Sequence, residues 1–474
     1  MDPAWQPQAG NISSPPTSMC YAIRVALTVA LGGFLMGFDA SVISGVVTFI
    51  EPEFNLSKIE LGWSVASLTL TASLAMMASG PLSDRLGRRP VLMIAAVLFA
   101  LSALASALAP SFIALVAARM LGGFGVGAAL IIAPMYIAEV SPAAVRGRMV
   151  SFNQLNIVIG ISAAFFTNFL ILRAGQSDLA WAEALHLGEW NWRWMLGVEA
   201  LPAIFYFVAL FAVPESPRWL VMNGRDEDAK RVLKRVSDQV QAKTNLDAVK
   251  ASLHAEQSTE RAALRELFRP GMRRVLTIGV LVAILQQATG INSVFFYAPM
   301  IFEQSGIGTD ASFMQAVLVG LVNLVFTVVA ILFIDRLGRR PLLGVGLAGI
   351  AACMLLLSYG FASAETNPTL ILVGILGFVA SFAVSLGPVM WVLFSELFPN
   401  RLRGLAISFV GLLNSAVSFS VQLVFPWELE NFGNSVTFLI YGLFAIVGLV
   451  IVMRLLPETK GKSLEELEAE LVGP

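Results

Sequence analysis

The sequence contains twelve apolar windows, each about 20 residues long, which is the length that an α-helix needs to cross a bilayer. Hydrophobic residues make up 57% of the 474 positions and charged residues only 13%, too few to cover several soluble domains of this total length. The sequence therefore predicts an all-α polytopic membrane protein. The predicted spans, numbered 1 to 12, lie at about 22–49, 61–82, 90–109, 112–138, 150–172, 194–213, 274–302, 312–334, 341–362, 369–396, 404–426 and 434–456.

A long polar stretch separates the first six spans from the last six. It contains many charged residues, and Val232, Leu233, Val236 and Val240 recur at helical spacing, which predicts amphipathic helices on the membrane surface. The predicted organisation is an N-terminal segment (1–21), an N-terminal six-helix bundle (22–213), a linker (214–272), a C-terminal six-helix bundle (273–456) and a tail (457–474).

Basic residues are concentrated in the short loops that follow even-numbered spans. Such loops face the cytoplasm under the positive-inside rule, and the alternate loops carry few basic residues. We therefore expect the linker and both termini to be cytoplasmic, in a multi-pass protein of the plasma or inner membrane. The basic residues of these loops are Arg85, Arg88, Arg89, Arg146, Arg148, Arg336, Arg339, Arg340, Arg401 and Arg403.

The two halves of the chain repeat each other. The heptapeptide DRLGRRP occurs at 84–90 and again at 335–341, and PESPRWL at 214–220 has a weaker echo in PETKGKSL at 457–464. Such parallel repeats occur in transporters that rock two pseudo-symmetric bundles about a midplane site. Acids and bases are duplicated too, which predicts a charge network that controls conformation; positive-inside anchoring alone is the alternative. The network residues are Asp84, Arg88, Arg89, Glu139, Arg146, Asp335, Arg339, Arg340, Glu396 and Arg403.

Five motifs, in this order, carry a family resemblance: GPLSDRLGRRP, PESPRWL, QQATGINSVFFYAP, GPVMWVLFSELFPNRLRG and PETKGKSLEELE. The chain resembles the sugar porter family of the major facilitator superfamily over nearly its whole length. That family includes the animal facilitative glucose transporters and the bacterial proton-coupled xylose symporter, and the resemblance to the latter is closer. The resemblance implies the major facilitator fold, alternating access, and a charge network that locks the outward-facing state.

Span 1 contains one acid, Asp39, and span 4 contains one embedded base, Arg119. A carboxylate inside a span costs about 2.5–3.5 kcal/mol, so it should be paired or protonated. Counting about 1.5 Å per residue places both side chains in the outer half of the membrane, where they can pair. If Asp39 alternates between Arg119 and a proton, it couples proton movement to rocking; a static ion pair is the alternative. The resemblance implies coupling, because the proton-coupled members have an acid at this place and the facilitative glucose carriers do not.

Neutral amides within the spans are the candidate sugar ligands, because they donate and accept hydrogen bonds without charge. Aromatic rings can cover the apolar face of a sugar, and the pair Gly387–Pro388 should free backbone groups in span 10. For any single amide, an inter-helix hydrogen bond worth about 0.6 kcal/mol is the alternative. The resemblance implies sugar binding at the matching positions. The candidates are Gln154, Gln286, Gln287, Asn292, Tyr297, Asn323, Phe382, Gly387, Trp391 and Asn414.

Span 7 carries several of these candidates on more than one face. On a straight helix, Gln286 and Tyr297 share a face, and Asn292 points roughly 120° away from Gln286. If all three line one cavity, the helix must bend, and Gly290 is the residue that permits it. We therefore predict a break near Ala288–Asn292 with Gly290 as a hinge, so that the outer part can close over the sugar.

Together these features predict a secondary active transporter that carries a monosaccharide, hexose or pentose, with a proton and works as a monomer. A facilitative uniporter with a static Asp39–Arg119 pair and a sugar receptor that does not transport are the alternatives. Ser415 stands where many relatives have tryptophan, so the identity of the sugar is left open. His186 and His254 lie in loops on opposite sides, so no enzyme is predicted, and no motif indicates a metal, a cofactor or a nucleic acid.

Overall fold

The structure is a computed structural model that describes residues 17–141, 145–236, 239–258, 264–363, 366–399 and 402–460. Most of the predicted N-terminal segment and tail lies outside these residues. In the described part, twelve helical stretches are long and apolar enough to cross a membrane, as predicted. These spans 1 to 12 are Cys20–Gly45, Lys58–Leu86, Arg88–Ala107, Phe112–Val140, Arg146–Gly175, Asn191–Ala212, Pro270–Glu303, Thr309–Ile334, Arg339–Ala362, Pro368–Leu397, Arg403–Asn431 and Gly433–Leu455.

Four spans are composite. Span 1 is the helix Thr17–Val42 with the 3-10 turn Ile43–Gly45, and span 6 comprises Asn191–Gly197, Ala200–Ala209 and the 3-10 turn Leu210–Ala212. Span 7 comprises Pro270–Ala288 and Ile291–Glu303, and span 10 comprises Pro368–Val384 and Leu386–Leu397. The helices between spans are Val47–Phe54, Ala180–Ala184 and, in the linker, Pro217–Met222, Asp226–Val236, Gln239–Ser258 and the 3-10 turn Leu264–Phe268.

The repeated DRLGRRP motif forms the same tight turn twice. Gly87 (φ 105°) ends span 2 and precedes span 3, and Gly338 (φ 90°) precedes span 9 in the same way. Only glycine adopts such positive φ values without strain, so the motif fixes the connection in both halves.

The linker helix Asp226–Val236 is amphipathic, as predicted, and its apolar face packs against the N-terminal bundle. Leu233 and Val236 belong to the apolar core of the N-terminal bundle, and Ala229 is fully buried there. The charged face is exposed and carries short-range ion pairs such as that between Arg231 and Asp228. The helix therefore attaches the linker to the N-terminal bundle; the side chain of Val240 lies outside the described residues.

Two pairs of spans make the most extensive contacts between the bundles, span 2 with span 11 and span 5 with span 8. A Cβ added at Gly62 would lie 2.0 Å from the backbone oxygen of Leu423, and one added at Gly320 would lie 2.9 Å from Ser162 Cα. Backbone therefore meets backbone at both contacts. The two pairs are equivalent under the repeat, because adding six to the span number converts 2 to 8 and 5 to 11. We call them the outer seams.

The bundles meet closely on the predicted outer side. The turn Ile43–Gly45 packs against the outer half of span 7, Ile291–Glu303, within one apolar core that includes residues of both bundles. Arg173 Nη1 also pairs with Asp310 Oδ2 across the bundles at 3.1 Å. On the predicted cytoplasmic side, by contrast, a Cβ added at Gly80 or Gly404 meets no atom of the described residues within 4 Å. Close contact like that at Gly62 is therefore not found at these two glycines of spans 2 and 11.

Candidate functional site

Four of the predicted amides form one hydrogen-bonded cluster between spans 7 and 11. Gln286 Oε1 accepts from Gln287 Nε2 at 3.1 Å and from Asn414 Nδ2 at 2.8 Å. Gln287 Oε1 accepts from Asn292 Nδ2 at 2.9 Å, and Gln287 Nε2 lies 3.3 Å from Asn414 Oδ1. Three of the four are buried and Asn292 is half-buried. A sugar hydroxyl can replace either partner in such amide pairs, since it both donates and accepts.

The break in span 7 brings these amides together. The inner helix ends at Ala288, Gly290 adopts φ 83°, and the outer helix begins at Ile291, within the segment where a break was predicted. A Cβ added at Gly290 would lie 2.6 Å from the Tyr441 ring. Both the backbone conformation and the neighbouring ring therefore require glycine, and the break lets Asn292 return to Gln287.

Span 10 is also broken, three residues before the proline. Ser385 has φ −126° and ψ −97°, and the backbone oxygen of Leu386, the first residue of the second helix, accepts a hydrogen bond from Gln286 Nε2 at 3.2 Å. Pro388 has no backbone N–H, so the preceding turn cannot close in the usual way. A backbone oxygen next to the break in span 10 therefore holds an amide of the cluster.

The aromatic candidates of span 10 flank the cluster differently. Phe382 lies at the end of the first helix of the span, and a Cβ at Gly387 would lie 3.3 Å from its ring. Trp391 is 43% exposed and reaches towards Gly411, about one turn from Asn414 on span 11. Trp391 therefore presents an exposed aromatic surface against span 11, the span that carries Asn414.

Three other candidates stand apart from the amide cluster. Gln154 is exposed on span 5 and Asn323 is buried on span 8, and within the described residues neither bonds to the cluster. The Tyr297 hydroxyl donates to the Gln422 backbone oxygen at 3.0 Å, and its ring packs on Phe425 at 5.3 Å between centroids. Tyr297 thus packs the outer half of span 7 against span 11, and the hydrogen of its hydroxyl is donated to span 11.

Three polar residues that the sequence reasoning missed extend the cluster. Ser418 Oγ accepts from Asn292 Nδ2 and from Gln422 Nε2, both at 2.7 Å. Gln422 Oε1 in turn accepts from Thr69 Oγ1 of span 2 at 2.8 Å. The available signal was the spacing of four between Asn414, Ser418 and Gln422, which puts them on one helix face.

Asp39 and Arg119 form a fully buried ion pair, as their depths predicted. Arg119 Nη1 lies 2.5 Å from Asp39 Oδ1 and also donates to the Asp39 backbone oxygen at 3.1 Å. Among the described residues, Asp39 Oδ2 and Arg119 Nε have no hydrogen-bond partner. A Cβ at Gly122 would lie 2.8 Å from Oδ2, so this glycine makes room for the carboxylate. The pair is therefore incompletely satisfied and holds an oxygen that can accept a proton.

A second buried acid belongs to the same region and was missed. Glu199 of span 6 is 2% exposed and interacts electrostatically with both Asp39 and Arg119. Its Oε1 has no hydrogen-bond partner among the described residues. An acid inside a span is rare enough to single out, and that rule, applied here to Asp39, would have found Glu199 too.

The charge network of the N-terminal bundle lies where spans 2, 3 and 4 meet on the predicted cytoplasmic side. Arg88 donates from Nε and Nη2 to both carboxylate oxygens of Glu139, each at 3.1 Å, and from Nη1 to Asp84 Oδ1 at 2.9 Å. Glu139 also accepts from the Ser216 hydroxyl after span 6. Arg89 donates to the Phe211 backbone oxygen at 3.3 Å. The network therefore joins spans 2, 3 and 4 to the segment that follows span 6.

The C-terminal bundle repeats this geometry. Arg339 donates from Nε and Nη2 to the two oxygens of Glu396 at 3.1 and 2.7 Å, and Thr459 Oγ1 donates to Glu396 Oε2 at 2.7 Å. Arg340 donates to the Met453 backbone oxygen. The side chain of Asp335 lies outside the described residues. The weak PESP–PETK echo in the sequence is therefore a structural equivalence, with Thr459 in the place of Ser216.

Arg146 and Arg403 stand apart from these pairs. Arg146 is exposed, and Arg403 Nε donates to the Phe398 backbone oxygen at 3.3 Å. Within the described part of the chain neither pairs with Glu139 or Glu396, whose pairs with Arg88 and Arg339 each lie inside one bundle.

The acids of the two equivalent motifs, Glu215 and Glu458, each bind the first backbone N–H groups of the helix after a DRLGRRP turn. Glu215 accepts from Arg88 N at 3.0 Å, and Glu458 accepts from Arg339 N at 3.0 Å. Burial raises the pKa of the Glu215 carboxyl, although these N–H bonds oppose the shift. Burial is also the largest single influence on the pKa of the Glu458 carboxyl and raises it. The hydrogen bonds from several backbone N–H groups together outweigh burial and hold this pKa below its ordinary value.

Comparison with known proteins agrees with this geometry. The family described as "Sugar (and other) transporter" matches residues 25–471. The chain belongs to the sugar transporter family. Sugar transporters similar to it include the arabinose-proton symporter of Bacillus subtilis, 39% identical, with 95% of each chain covered. The D-xylose-proton symporter of Escherichia coli is 38% identical, also with 95% of each chain covered.

Solved structures of a sugar transporter confirm the major facilitator fold and its two pseudo-symmetric bundles. The inward-open xylose transporter XylE from E. coli superposes with a TM-score of 0.82 at 35% identity, covering 95% of this chain and all of that one. The proton:xylose symporter XylE bound to 6-bromo-6-deoxy-D-glucose gives 0.74 at 36% identity, covering 95% and 99%. The score is higher for the inward-open structure than for the sugar-bound one.

Replacing Glu215 or Glu458 with alanine should lower the stability of this sugar transporter. Each change leaves N–H groups at a helix start without an acceptor, and a lost cap costs about 1 kcal/mol. The measurement is the apparent melting temperature in detergent, followed by tryptophan fluorescence. Glu183→Ala, in an exposed loop helix, is the matched control and should change little. Melting of either variant at the wild-type temperature would contradict the capping role.

Proposed function

We infer that this protein is a secondary active transporter that carries a monosaccharide together with a proton by alternating access. It is a multi-pass protein of the plasma or inner membrane with both termini and the linker in the cytoplasm, and it works as a monomer. The observation that carries the proposal is the buried Asp39–Arg119 pair in a member of the sugar transporter family, since facilitated diffusion of a neutral sugar needs no such pair. The pentose–proton symporters among its relatives support the same function.

The sugar binds at the amide cluster of the C-terminal bundle. Gln286, Gln287, Asn292 and Asn414 offer donors and acceptors that now satisfy one another, so a sugar replaces hydrogen bonds rather than meeting unpaired groups. Trp391 supplies an aromatic face beside them. The remaining candidates stay part of the proposed site and contribute when the bundles close around the sugar; they are Gln154, Tyr297, Asn323, Phe382 and Gly387.

The proton binds in the N-terminal bundle at Asp39. When Asp39 is ionised, it pairs with Arg119; when it is protonated, the attraction is lost and the two spans can separate. Glu199 gives Arg119 a second acid, so that the cation is not left alone when Asp39 takes up the proton. Exchange of Arg119 between two carboxylates supplies the coupling that a single static pair lacks.

The charge networks and Gly290 act in the conformational change. The higher TM-score with the inward-open structure supports a conformation that opens towards the cytoplasm, and the pairs Arg88–Glu139 and Arg339–Glu396 each lie within one bundle. We propose that the networks approach one another and bind across the bundles when the cytoplasmic side closes, with Arg146 and Arg403 then available as partners. Gly290 is the hinge on which the outer half of span 7 moves.

Replacing Asn414 with alanine should weaken sugar binding by about tenfold to a hundredfold. The change removes the two side-chain atoms, Oδ1 and Nδ2, with which Asn414 can bind the sugar, and it takes one donor away from Gln286 Oε1. Leaving a buried polar atom without its hydrogen bond costs about 1–3 kcal/mol. Binding is measured by isothermal titration in detergent. The matched control is Asn431→Ala on the same span, where the amide is exposed and bonds only to its own helix. Unchanged affinity in the Asn414 variant would exclude the cluster as the sugar site.

The function is tested by uptake into proteoliposomes with and without an imposed pH gradient. The panel is D-xylose, arabinose, D-glucose, D-galactose, D-fructose and myo-inositol, each as labelled substrate and as competitor. Accumulation that requires the gradient and alkalinises the medium is expected for at least one sugar. Uptake that stops at equal concentrations with or without the gradient would indicate a uniporter, and binding without uptake would indicate a receptor.

A further inference from the structure

Gln422 of span 11 connects three parts of the protein through separate atoms. Its side-chain Oε1 accepts from Thr69 Oγ1 on span 2 at 2.8 Å, and its Nε2 donates to Ser418 Oγ at 2.7 Å. Its backbone oxygen accepts from the Tyr297 hydroxyl in the outer half of span 7 at 3.0 Å. Gln422 is only 1% exposed, so these bonds form away from water. An unpaired amide at such a place is costly, and each bond therefore constrains the others.

A series of hydrogen bonds connects Thr69, through Gln422, to the amide cluster. Ser418 Oγ accepts both from Gln422 and from Asn292, and Asn292 donates in turn to Gln287. A ligand that takes Asn292 or Gln287 away from its present partner therefore changes the hydrogen bonds left for Ser418 and Gln422. The chain of bonds runs from the proposed sugar ligands in the C-terminal bundle to a hydroxyl on the N-terminal bundle.

Thr69 and Gln422 also lie on the seam that must separate when the outer side opens. Leu423, the next residue on span 11, is in direct backbone contact with span 2 at Gly62. The Thr69–Gln422 bond crosses the same pair of spans. Opening of the seam therefore breaks this bond, and closing the seam restores it.

We propose that Gln422 is a positioning residue that transmits closure of the span 2–span 11 seam to the sugar amides, with Thr69 as its partner on the opposite bundle. The bond favours the conformation with the outer side closed, and it aligns Ser418 and Asn292 only in that conformation. The proposal rests on the transport function proposed above.

Thr69→Val is the variant that tests the link, because valine keeps the shape and removes the hydroxyl. The ratio of outward-facing to inward-facing protein should rise about fivefold, the equivalent of one net hydrogen bond. The KM for external sugar should therefore fall while kcat also falls, since more sites face outward and closure is slower. Hydrogen–deuterium exchange of the full-length protein in nanodiscs should increase at the outer ends of spans 2 and 11 and decrease at their inner ends.

Three comparisons distinguish the loss of the Thr69–Gln422 hydrogen bond from a change in side-chain packing. Thr69→Ser keeps the hydroxyl and should restore both the exchange pattern and the kinetics of the wild type. Thr28→Val is the matched control, because the Thr28 hydroxyl bonds only to the Arg24 oxygen of its own helix. Gln422→Met should reproduce Thr69→Val, and the double variant should be no more altered than Gln422→Met alone.

Wild-type exchange and kinetics in Thr69→Val would overturn the proposal, as would a Thr69→Ser variant that behaves like valine or additive effects in the double variant. The exchange measurement without sugar does not depend on transport. If the wild type carries none of the sugars in the panel, the proposed function fails, while the exchange pattern still decides whether Thr69 and Gln422 hold the seam.

Discussion

Replacing Asp39 with asparagine should abolish accumulation of sugar against its gradient and leave the exchange of sugar across the membrane intact. In one-to-one symport, a pH difference of one unit can sustain about a tenfold sugar gradient, because both correspond to about 1.4 kcal/mol. Asparagine cannot take up a proton, so the ratio of internal to external sugar should fall to about 1. The amide still hydrogen-bonds to Arg119, and Glu199 remains as an acid for the cation, so folding should be preserved.

The measurement pairs two assays on the same proteoliposomes. Uptake driven by a pH gradient should be lost in Asp39→Asn, whereas counterflow, in which labelled sugar exchanges for unlabelled sugar, should continue. Asp178→Asn, at an exposed acid in an outer loop, is the matched control and should accumulate sugar like the wild type. Gradient-driven accumulation that persists in Asp39→Asn would show that the Asp39–Arg119 pair is static and that the proton binds elsewhere.

The helices and their order could be predicted because membrane crossing leaves a strong signal in sequence. Twelve windows of about 20 apolar residues are typical of membrane-crossing helices, and the duplicated DRLGRRP turn identifies equivalent points in the two halves. The break in span 7 could be predicted as well, since Gln286 and Asn292 point in different directions on a straight helix. In span 10 the proline revealed the break, but the irregular residue is Ser385, because a proline disturbs the turn before it.

The partners of the polar residues could not be predicted in the same way. Thr69, Ser418 and Gln422 lie in apolar helices, where a hydroxyl usually bonds to its own backbone, and nothing in the sequence brings span 2 against span 11. Tyr297 remains a predicted sugar ligand, and the sequence could not show that its hydroxyl donates to a backbone oxygen of span 11. Glu199 was within reach of the sequence argument, since a buried acid needs a partner, but its proximity to Arg119 requires the fold.

The contact between Gly62 and Leu423 must form whenever the outer side of the transporter closes. Gly62→Trp should reduce transport by at least about a hundredfold and hold the protein in an outward-facing conformation. A Cβ at this position already lies 2.0 Å from the Leu423 backbone oxygen, so the indole cannot fit while the seam is closed. About 5.5 kcal/mol is enough to convert a 1:99 equilibrium to 99:1, and a ring placed between two backbones exceeds that. We expect an outward-facing conformation, in which spans 2 and 11 separate, to accommodate the ring.

A graded series makes this prediction testable. Gly62→Ala adds only the clashing methyl group, at a cost of about 1–3 kcal/mol, and should shift the equilibrium between inward-facing and outward-facing protein partly. Gly308→Trp is the matched control, because it adds the same ring at an exposed position with no atom near its Cβ. This variant should transport normally. Sugar should still bind to Gly62→Trp from outside, and amide exchange at the outer end of span 11 should rise. Wild-type transport by Gly62→Trp would mean that the cycle does not pass through the closed seam, and alternating access about spans 2 and 11 would then have to be abandoned.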